Sequence, residues 1–236
     1  MNKKTSDNAI KFIKANKKLL IEKFANSAVY KPVEFPETIF MAGSPGAGKT
    51  EFSENLIEIL AEIINKNFIR IDADDIRKII PGYEGFNSAD VQIAASIGVE
   101  KLYDYISKKK LDVILDGTFA SYSVAYKNVK RAVDKNRNTT IFYIYQEPGI
   151  AWNFTKKREK LEGRNISKDV FIKAFFDAKN NVNKIKEVFD DKVKIYLVVK
   201  NYDQSNDVEK SRFNIDNIDN YLEIPYTSQI LKKVLK

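Results

Sequence analysis

The sequence predicts an α/β fold in which a five-stranded, mainly parallel sheet carries helices on both faces and a short lid. Short apolar runs alternate along the chain with longer segments of helical periodicity, and strands separated by helices are typical of a buried parallel sheet. A glycine-rich loop follows the first strand, and acidic residues follow the next two. Ligands of such sheets bind at the carboxyl ends of the strands, so these segments indicate where the site lies.

The composition fits a single soluble domain with appendages. The chain has 236 residues, of which 44% are hydrophobic and 31% are charged. It has no cysteine and no histidine, which excludes disulfides, thiol nucleophiles, zinc-thiolate sites and a Ser-His-Asp hydrolase. A general base must therefore be a carboxylate, a lysine or a tyrosine. The net charge of +8 fits a protein that handles anions.

The order of the elements divides the chain into three parts. Residues 5–27 have apolar side chains at helical spacing, which predicts an amphipathic helix, followed by a linker that reaches residue 36. The main domain spans residues 37–200, and residues 201–236 are expected to form a polar loop and a packed helix. The predicted strands are residues 38–42, 67–71, 112–116, 139–145 and 193–199.

Neither a signal peptide nor a membrane span is predicted. The N-terminal segment has lysines but no continuous apolar region, and no later segment approaches the ~20 apolar residues of a membrane helix. We therefore expect a cytoplasmic protein that does not contact a membrane.

The loop after the first strand satisfies the motif G-x-x-x-x-G-K-[ST] in full. It consists of Gly43, Ser44, Pro45, Gly46, Ala47, Gly48, Lys49 and Thr50. Backbone amides of such a loop, together with the following helix N-terminus, neutralise a polyphosphate. Lys49 is expected to reach the β- and γ-phosphates, and the Thr50 hydroxyl is expected to bind Mg²⁺. The motif predicts a P-loop NTPase or kinase fold.

Carboxylates follow the second and third strands. Asp72, Asp74 and Asp75 follow the second, where an acid could orient or deprotonate an attacking hydroxyl; Asp75 is expected to cap the next helix instead. Asp116, followed by Gly117 and Thr118, ends the third strand. There it could bind Mg²⁺ through water or bind an acceptor.

A basic segment after the fourth strand predicts the lid. Residues 152–171 hold a cationic helix end, a Gly-Arg-Asn loop and a new helix with Ser167 as its expected N-cap. In small P-loop kinases such a segment closes over the nucleotide, and its arginines stabilise charge on the transferred phosphoryl group. Arg158 and Arg164 are the candidates for this role.

Taken in order, the P-loop, Ile-Asp-x-Asp, Asp-Gly-Thr and the two lid arginines resemble the zeta toxin family of P-loop kinases. The resemblance runs from roughly residue 8 to residue 200. It implies ATP and Mg²⁺ as cofactors, with transfer of the γ-phosphate to the 3′-hydroxyl of the sugar in UDP-N-acetylglucosamine. It also implies a small antitoxin protein as a possible partner.

The resemblance assigns roles by position. Lys49 and Thr50 correspond to the nucleotide and Mg²⁺ residues, and Asp74 corresponds to the catalytic base. Arg158 and Arg164 correspond to the lid arginines, and the substrate-binding residues would be Asp74, Glu100, Asp116 and Thr118. Asp116 stands where the family usually has glutamate, and only five residues separate the two arginines.

Three hypotheses remain open at this point. The acceptor could be a UDP-sugar, or it could be a nucleoside, another nucleotide or an RNA end, although no nucleic-acid motif is evident. Alternatively, the protein could be a nucleotide-dependent switch without acceptor chemistry. The N-terminal helix could also regulate the domain, and the sequence does not distinguish ATP from GTP.

Overall fold

The computed structural model describes residues 3–200 and 208–236 of the chain. Its strands are β1 (Glu37–Ala42), β2 (Ile69–Asp72), β3 (Val113–Asp116), β4 (Asn138–Gln146), β5 (Val193–Lys200) and β6 (Val208–Phe213). They form one sheet in the order β2-β3-β1-β4-β5-β6. The first five strands are parallel, and β6 pairs antiparallel with β5.

Helices connect these strands along the chain. They are α1 (Lys3–Ala15), α2 (Lys17–Phe24), α3 (Lys49–Ile64), α4 (Ala73–Lys78), α5 (Ser88–Lys108), α6 (Tyr122–Asp134), α7 (Pro148–Glu162), α8 (Lys168–Phe189) and α9 (Ser228–Val234). The α/β class and the parallel sheet are thus confirmed. No helix within residues 3–200 and 208–236 has the length and apolar character that a membrane crossing requires.

The sheet has six strands rather than the predicted five. The sixth, β6, lies within the polar tail that was expected to be a loop, and residues 201–207 of that tail lie outside the described residues. Its sequence VEKSRF has few apolar residues, and Phe213 at its end is 65% exposed. An edge strand needs little apolar side-chain area because it pairs on one side only, so the hydrophobic pattern is weak.

The N-terminal segment forms two helices where one was predicted. The break is at Asn16, whose side-chain amide donates a hydrogen bond to the Phe12 carbonyl at 2.8 Å. Asparagine competes for backbone groups in this way and disfavours helix interiors. Ile13 of α1 and Leu20 of α2 are buried in the main core. These helices therefore form part of the packed structure.

Both faces of the sheet are covered. On one face, β1 residues such as Phe40 pack with α1, α2, α5, α6 and α8 in the larger core. On the other face, Met41 and its neighbours pack against the apolar side of α3. This arrangement buries the strands on both sides and leaves the carboxyl ends of β1 to β5 at one edge, where the polar residues of the candidate site gather.

Candidate active site

A cavity of about 530 Å³ lies at this edge of the sheet. The P-loop, the start of α4, the loop after β3 and the C-terminal half of α7 line it. Of the predicted residues, the structure brings Lys49, Thr50, Asp74, Asp116, Thr118, Arg158 and Arg164 to this one cavity. Segments more than 100 residues apart in the sequence therefore meet around one volume.

The backbone of the P-loop takes conformations that require glycine at two positions. Gly46 and Gly48 have φ values of 70° and 79°, a region that other residues rarely adopt. A Cβ atom at Gly46 would lie 2.1 Å from the Ala151 carbonyl oxygen at the start of α7. The loop is thus packed closely against α7, and it lies with the start of α3 at the cavity, where the motif predicts an anion site.

Lys49 is buried at the base of the loop. Its ammonium donates a hydrogen bond to the Ser44 carbonyl at 2.6 Å, so the side chain folds back across the loop. Burial lowers the pKa of Lys49 to about 8, against the opposing effects of Asp116 and Asp72. With Thr50 beside it in the cavity, this set of amides, ammonium and hydroxyl fits the chemistry of a Mg²⁺-bound polyphosphate.

On the opposite side of the cavity, Asp74 is surrounded by arginines. Arg164 donates to its carboxylate at 2.6 and 2.5 Å, and Arg158 approaches at 3.5 Å. Arg77, one turn further along α4, donates to the same carboxylate and to Gln92. Three guanidinium groups from α4, α7 and the loop after α7 therefore converge on one acid. Arg77 is 2% exposed, whereas the two lid arginines are more accessible.

Close to Asp74 in the sequence, the Arg70 guanidinium forms ion pairs with three other carboxylates. It contacts Asp72 at 2.6 Å, Asp75 at 2.9 Å and Asp116 at 2.8 Å. Burial, reinforced by Asp116 and Asp74, raises the pKa of Asp72 to about 6. The Asp116 carboxylate also accepts a hydrogen bond from the Ser53 hydroxyl at 3.1 Å. Asp116 is consequently fixed by two protein donors at the end of β3.

Of the two predicted helix caps, the structure contradicts one. Asp75 does not cap α4; Asp72 does, because its carboxylate accepts from the Asp74 amide at 2.8 Å. Asp75 instead binds Arg70 and Lys78. In the lid, Ser167 caps α8 as expected, accepting from the Val170 amide at 3.3 Å.

Glu100 is not brought to the cavity. It lies on α5 with a half-exposed side chain that pairs with Lys127 and with Arg131 at 3.5 Å. Gln92, two turns earlier on the same helix, lines the cavity instead. Spacing from Asp116 along the chain did not predict which turn of this long helix faces the site.

Thr118 connects the loop after β3 to the P-loop. Its carbonyl accepts a hydrogen bond from the Gly43 amide at 3.1 Å, and the residue lines the cavity.

No group of three or more acidic residues in the described parts of the chain is arranged to hold a metal ion by itself.

The residues at or beside the cavity that the sequence reasoning missed include Arg70, Arg77, Gln92 and Lys200. Arg70 binds the cavity's carboxylates, and the other three line it. Two of them could have been found from their spacing in the sequence. Arg70 and Asp72 lie two residues apart on a strand, and so share a face, and Arg77 lies three residues after Asp74 on a helix. Gln92 and Lys200 have no comparable relation to the motifs.

Comparison with known proteins identifies the family. The zeta toxin family model matches residues 22–214. The chain belongs to the zeta toxin family. A search among curated proteins found no match.

Solved structures that resemble this zeta toxin family member share its fold at low sequence identity. One comes from the PezAT chromosomal toxin-antitoxin system of Streptococcus pneumoniae, with a TM-score of 0.66, 16% identity, and coverage of 94% of this chain and 86% of that chain. Another is the complex of AvrRxo1-ORF1 and ORF2 with ATP, with a TM-score of 0.63, 14% identity, and coverage of 98% and 73%. Family membership and this fold support nucleotide binding and a phosphotransferase activity.

Proposed function

We propose that this protein is the toxin of a toxin-antitoxin system and transfers the γ-phosphate of ATP to the 3′-hydroxyl of UDP-N-acetylglucosamine. The observation that carries the proposal is the position of Asp74. It lies in the same cavity as Lys49 and Thr50, and arginines from the lid reach it from the other side. A donor site thus faces an acid that could receive the proton of an acceptor hydroxyl.

The chain supplies distinct groups to the reaction. The P-loop amides and Lys49 bind the β- and γ-phosphates, and Thr50 holds Mg²⁺, which when bound neutralises charge that develops on the phosphates. Asp74 accepts the proton as the sugar oxygen bonds to the γ-phosphorus and the bond to the ADP oxygen breaks. Arg158 and Arg164 turn from Asp74 to the transferred phosphoryl group and stabilise its negative charge.

The acceptor binds beside these groups in our proposal. The loop after β3 contributes Asp116 and Thr118, and Arg77 and Gln92 complete the wall next to Asp74. Around Asp74, the three guanidinium groups of Arg77, Arg158 and Arg164 meet two carboxylates, those of Asp74 and Glu162. One positive charge is left over, so this part of the wall suits an acceptor that carries phosphate groups, as a nucleotide sugar does. Glu100 has no part in this arrangement.

Mass spectrometry tests the proposal. Incubation with ATP, Mg²⁺ and UDP-N-acetylglucosamine should yield a sugar nucleotide heavier by one phosphate, and Asp74→Asn should reduce the rate by at least about a hundredfold. Asp75→Asn is the matched control, because Asp75 is a neighbouring carboxylate bound to Arg70 and Lys78 outside the cavity lining. It should retain most of the activity.

The alternatives give other outcomes in the same assay. Phosphorylation of a nucleoside, another nucleotide or an RNA end instead of the sugar nucleotide would show that the protein is a kinase with a different acceptor. Slow ATP hydrolysis that is unchanged when Asp74 and Asp116 are both replaced by alanine would indicate a nucleotide switch. The antitoxin is tested separately: a small protein that rescues growth should bind this chain and inhibit the kinase.

A further inference from the structure

Lys200, the last residue of β5, lies against the P-loop. Its ammonium is 3.5 Å from the Gly48 carbonyl oxygen. A Cβ atom at Gly48 would lie only 2.5 Å from the same ammonium, so the lysine occupies space that the absence of a side chain at Gly48 leaves open. Lys200 also lines the cavity. It brings a second cation to the P-loop from a strand far from the motif.

This cation is buried without a matching carboxylate among the described residues. Lys200 is 9% exposed, and within residues 3–200 and 208–236 no acidic side chain forms a salt bridge with it. Burial lowers the pKa of Lys200, and Glu51 at the start of α3 opposes this effect from a distance. A buried ammonium lowers stability unless an anion neutralises it, and no carboxylate of the described residues does so for Lys200.

Lys186 is a buried lysine with a structural role, and its contacts can be compared with those of Lys200. Its exposure is 6%, similar to that of Lys200. Its ammonium donates to the carbonyl of Asp190 at 3.0 Å and to that of Val193 at 3.3 Å, and it is 3.6 Å from the Asp216 carboxylate. With the Asp191 carboxylate at 3.9 Å, Lys186 thus has four partners inside the protein. Among the described residues, Lys200 has one long hydrogen bond, and it lines the open cavity.

The strand order places Lys200 on the donor side. The acceptor-side acids follow β2 and β3, which lie on one side of β1, whereas β4 and β5 lie on the other side. Lys49 follows β1 and reaches toward the β- and γ-phosphates. A cation beyond it, on the side away from Asp74, is therefore near the phosphate that is furthest from the transferred group.

We propose that Lys200 binds the α-phosphate of the donor nucleotide. In this arrangement Lys49 neutralises the reacting end of the phosphate chain, and Lys200 neutralises the nucleoside end. The bound phosphate supplies an anionic partner, which the described residues do not give to this buried ammonium. The assignment rests on the proposed function only in taking a nucleoside triphosphate as the donor.

Calorimetric titration without any acceptor tests the assignment. Wild type, Lys200→Met and Lys194→Met are titrated with ATP, ADP, AMP and adenosine; Lys194 is the control because it is an exposed lysine on the same strand. Lys200→Met should weaken binding of all three phosphorylated ligands by about ten- to hundredfold and leave adenosine unchanged. Lys194→Met should change none of the four, and Lys200→Arg should recover part of the loss.

The outcomes separate this assignment from the proposed function. Equal ATP affinity in wild type and Lys200→Met would overturn the assignment and leave the kinase standing. A loss confined to ATP, or an equal loss for adenosine, would also overturn it, because neither follows from a contact to the α-phosphate. Failure of the wild type to bind any nucleotide would overturn both the Lys200 assignment and the proposed kinase function. If the variants show the expected affinities but the wild type does not phosphorylate the sugar nucleotide, the Lys200 assignment is supported and the proposed acceptor is wrong. Thermal unfolding of each variant identifies one that fails to fold, in which case Lys200→Arg and Lys200→Gln carry the comparison.

Discussion

The donor side and the acceptor side of the cavity are built from different parts of the chain. The donor side is mainly the backbone of one continuous loop, residues 43–50, held in shape by glycines with positive φ. The acceptor side is a network of charged side chains from β2, β3, α4 and the lid. The first depends on local conformation, and the second depends on charges that must neutralise one another. The two sides should therefore fail in different ways.

Removing Arg70 should have the largest effect. Arg70→Met leaves Asp72, Asp75 and Asp116 without their shared cation, and breaking a largely buried ion pair from one side lowers stability by about 3–5 kcal/mol. Urea unfolding should show this loss. Arg212→Met on the exposed edge strand should change the free energy of unfolding by less than about 0.5 kcal/mol. A small loss for Arg70→Met would show that the acids tolerate one another without it.

A single methyl group added to the P-loop should weaken ATP binding. In Gly46→Ala the new Cβ would be 2.1 Å from the Ala151 carbonyl oxygen at a φ of 70°, so the loop must shift away from its anion-binding shape. We expect ATP affinity to fall by about a hundredfold, or 2.7 kcal/mol, in a calorimetric titration.

Gly117→Ala is the matched control for this loop variant. Gly117 also lines the cavity, but its Cβ would meet no atom within 4 Å. ATP affinity should stay within about threefold of wild type, or about 0.7 kcal/mol. Equal losses for the two variants would mean that the cavity responds to added volume rather than to P-loop conformation.

The same difference explains what the sequence could predict. The P-loop motif is contiguous and its spacing has a backbone cause, so residues 43–50 could be assigned without a structure. The five parallel strands could be predicted because each has buried apolar residues. In β1, β3, β4 and β5 these form a largely apolar run, and in β2 they alternate with Arg70 and Asp72. The edge strand β6 could not be predicted, since the polar residues of its sequence resemble those of a loop.

Side-chain networks were predicted only in part. Asp74 and the lid arginines followed from the family order, but Arg77 completes their contacts from a position with no motif of its own. Glu100 was placed by its spacing from Asp116, yet a helix of 21 residues turns only some positions toward the cavity. Lys200 is close to the P-loop only because β5 ends there. Such residues are defined by sheet order, which local patterns do not encode.

Nucleotide affinity should fall at alkaline pH, with Lys49 as the cause. Phosphate binding favours the charged ammonium, whose pKa burial lowers to about 8, so deprotonation of the free protein above that pH competes with binding. Between pH 7 and pH 9, ATP affinity should fall by about tenfold, or 1.4 kcal/mol. Titrations at each pH check this, and adenosine should show no such fall. A flat ATP profile would mean that Lys49 remains charged throughout the range.

The smallest expected effect concerns Asp72, one of three carboxylates that share the Arg70 guanidinium. Burial raises the pKa of Asp72 from 3.8 to about 6. The native state therefore binds this proton more tightly than the unfolded chain does, and the stability gained from protonation is lost as the pH rises through 6. Asp72→Asn removes the charge while keeping a side chain that caps α4 equally well. At pH 7.5 the variant should be more stable than wild type by about 1 kcal/mol. In urea unfolding this gain should decrease as the pH falls through about 6 and should be lost below 3.8, the ordinary pKa of the carboxyl. A gain that persists below pH 3.8 would trace the effect to the cap rather than to the charge, and a loss at pH 7.5 would show that the bond from Arg70 outweighs the burial of the carboxylate.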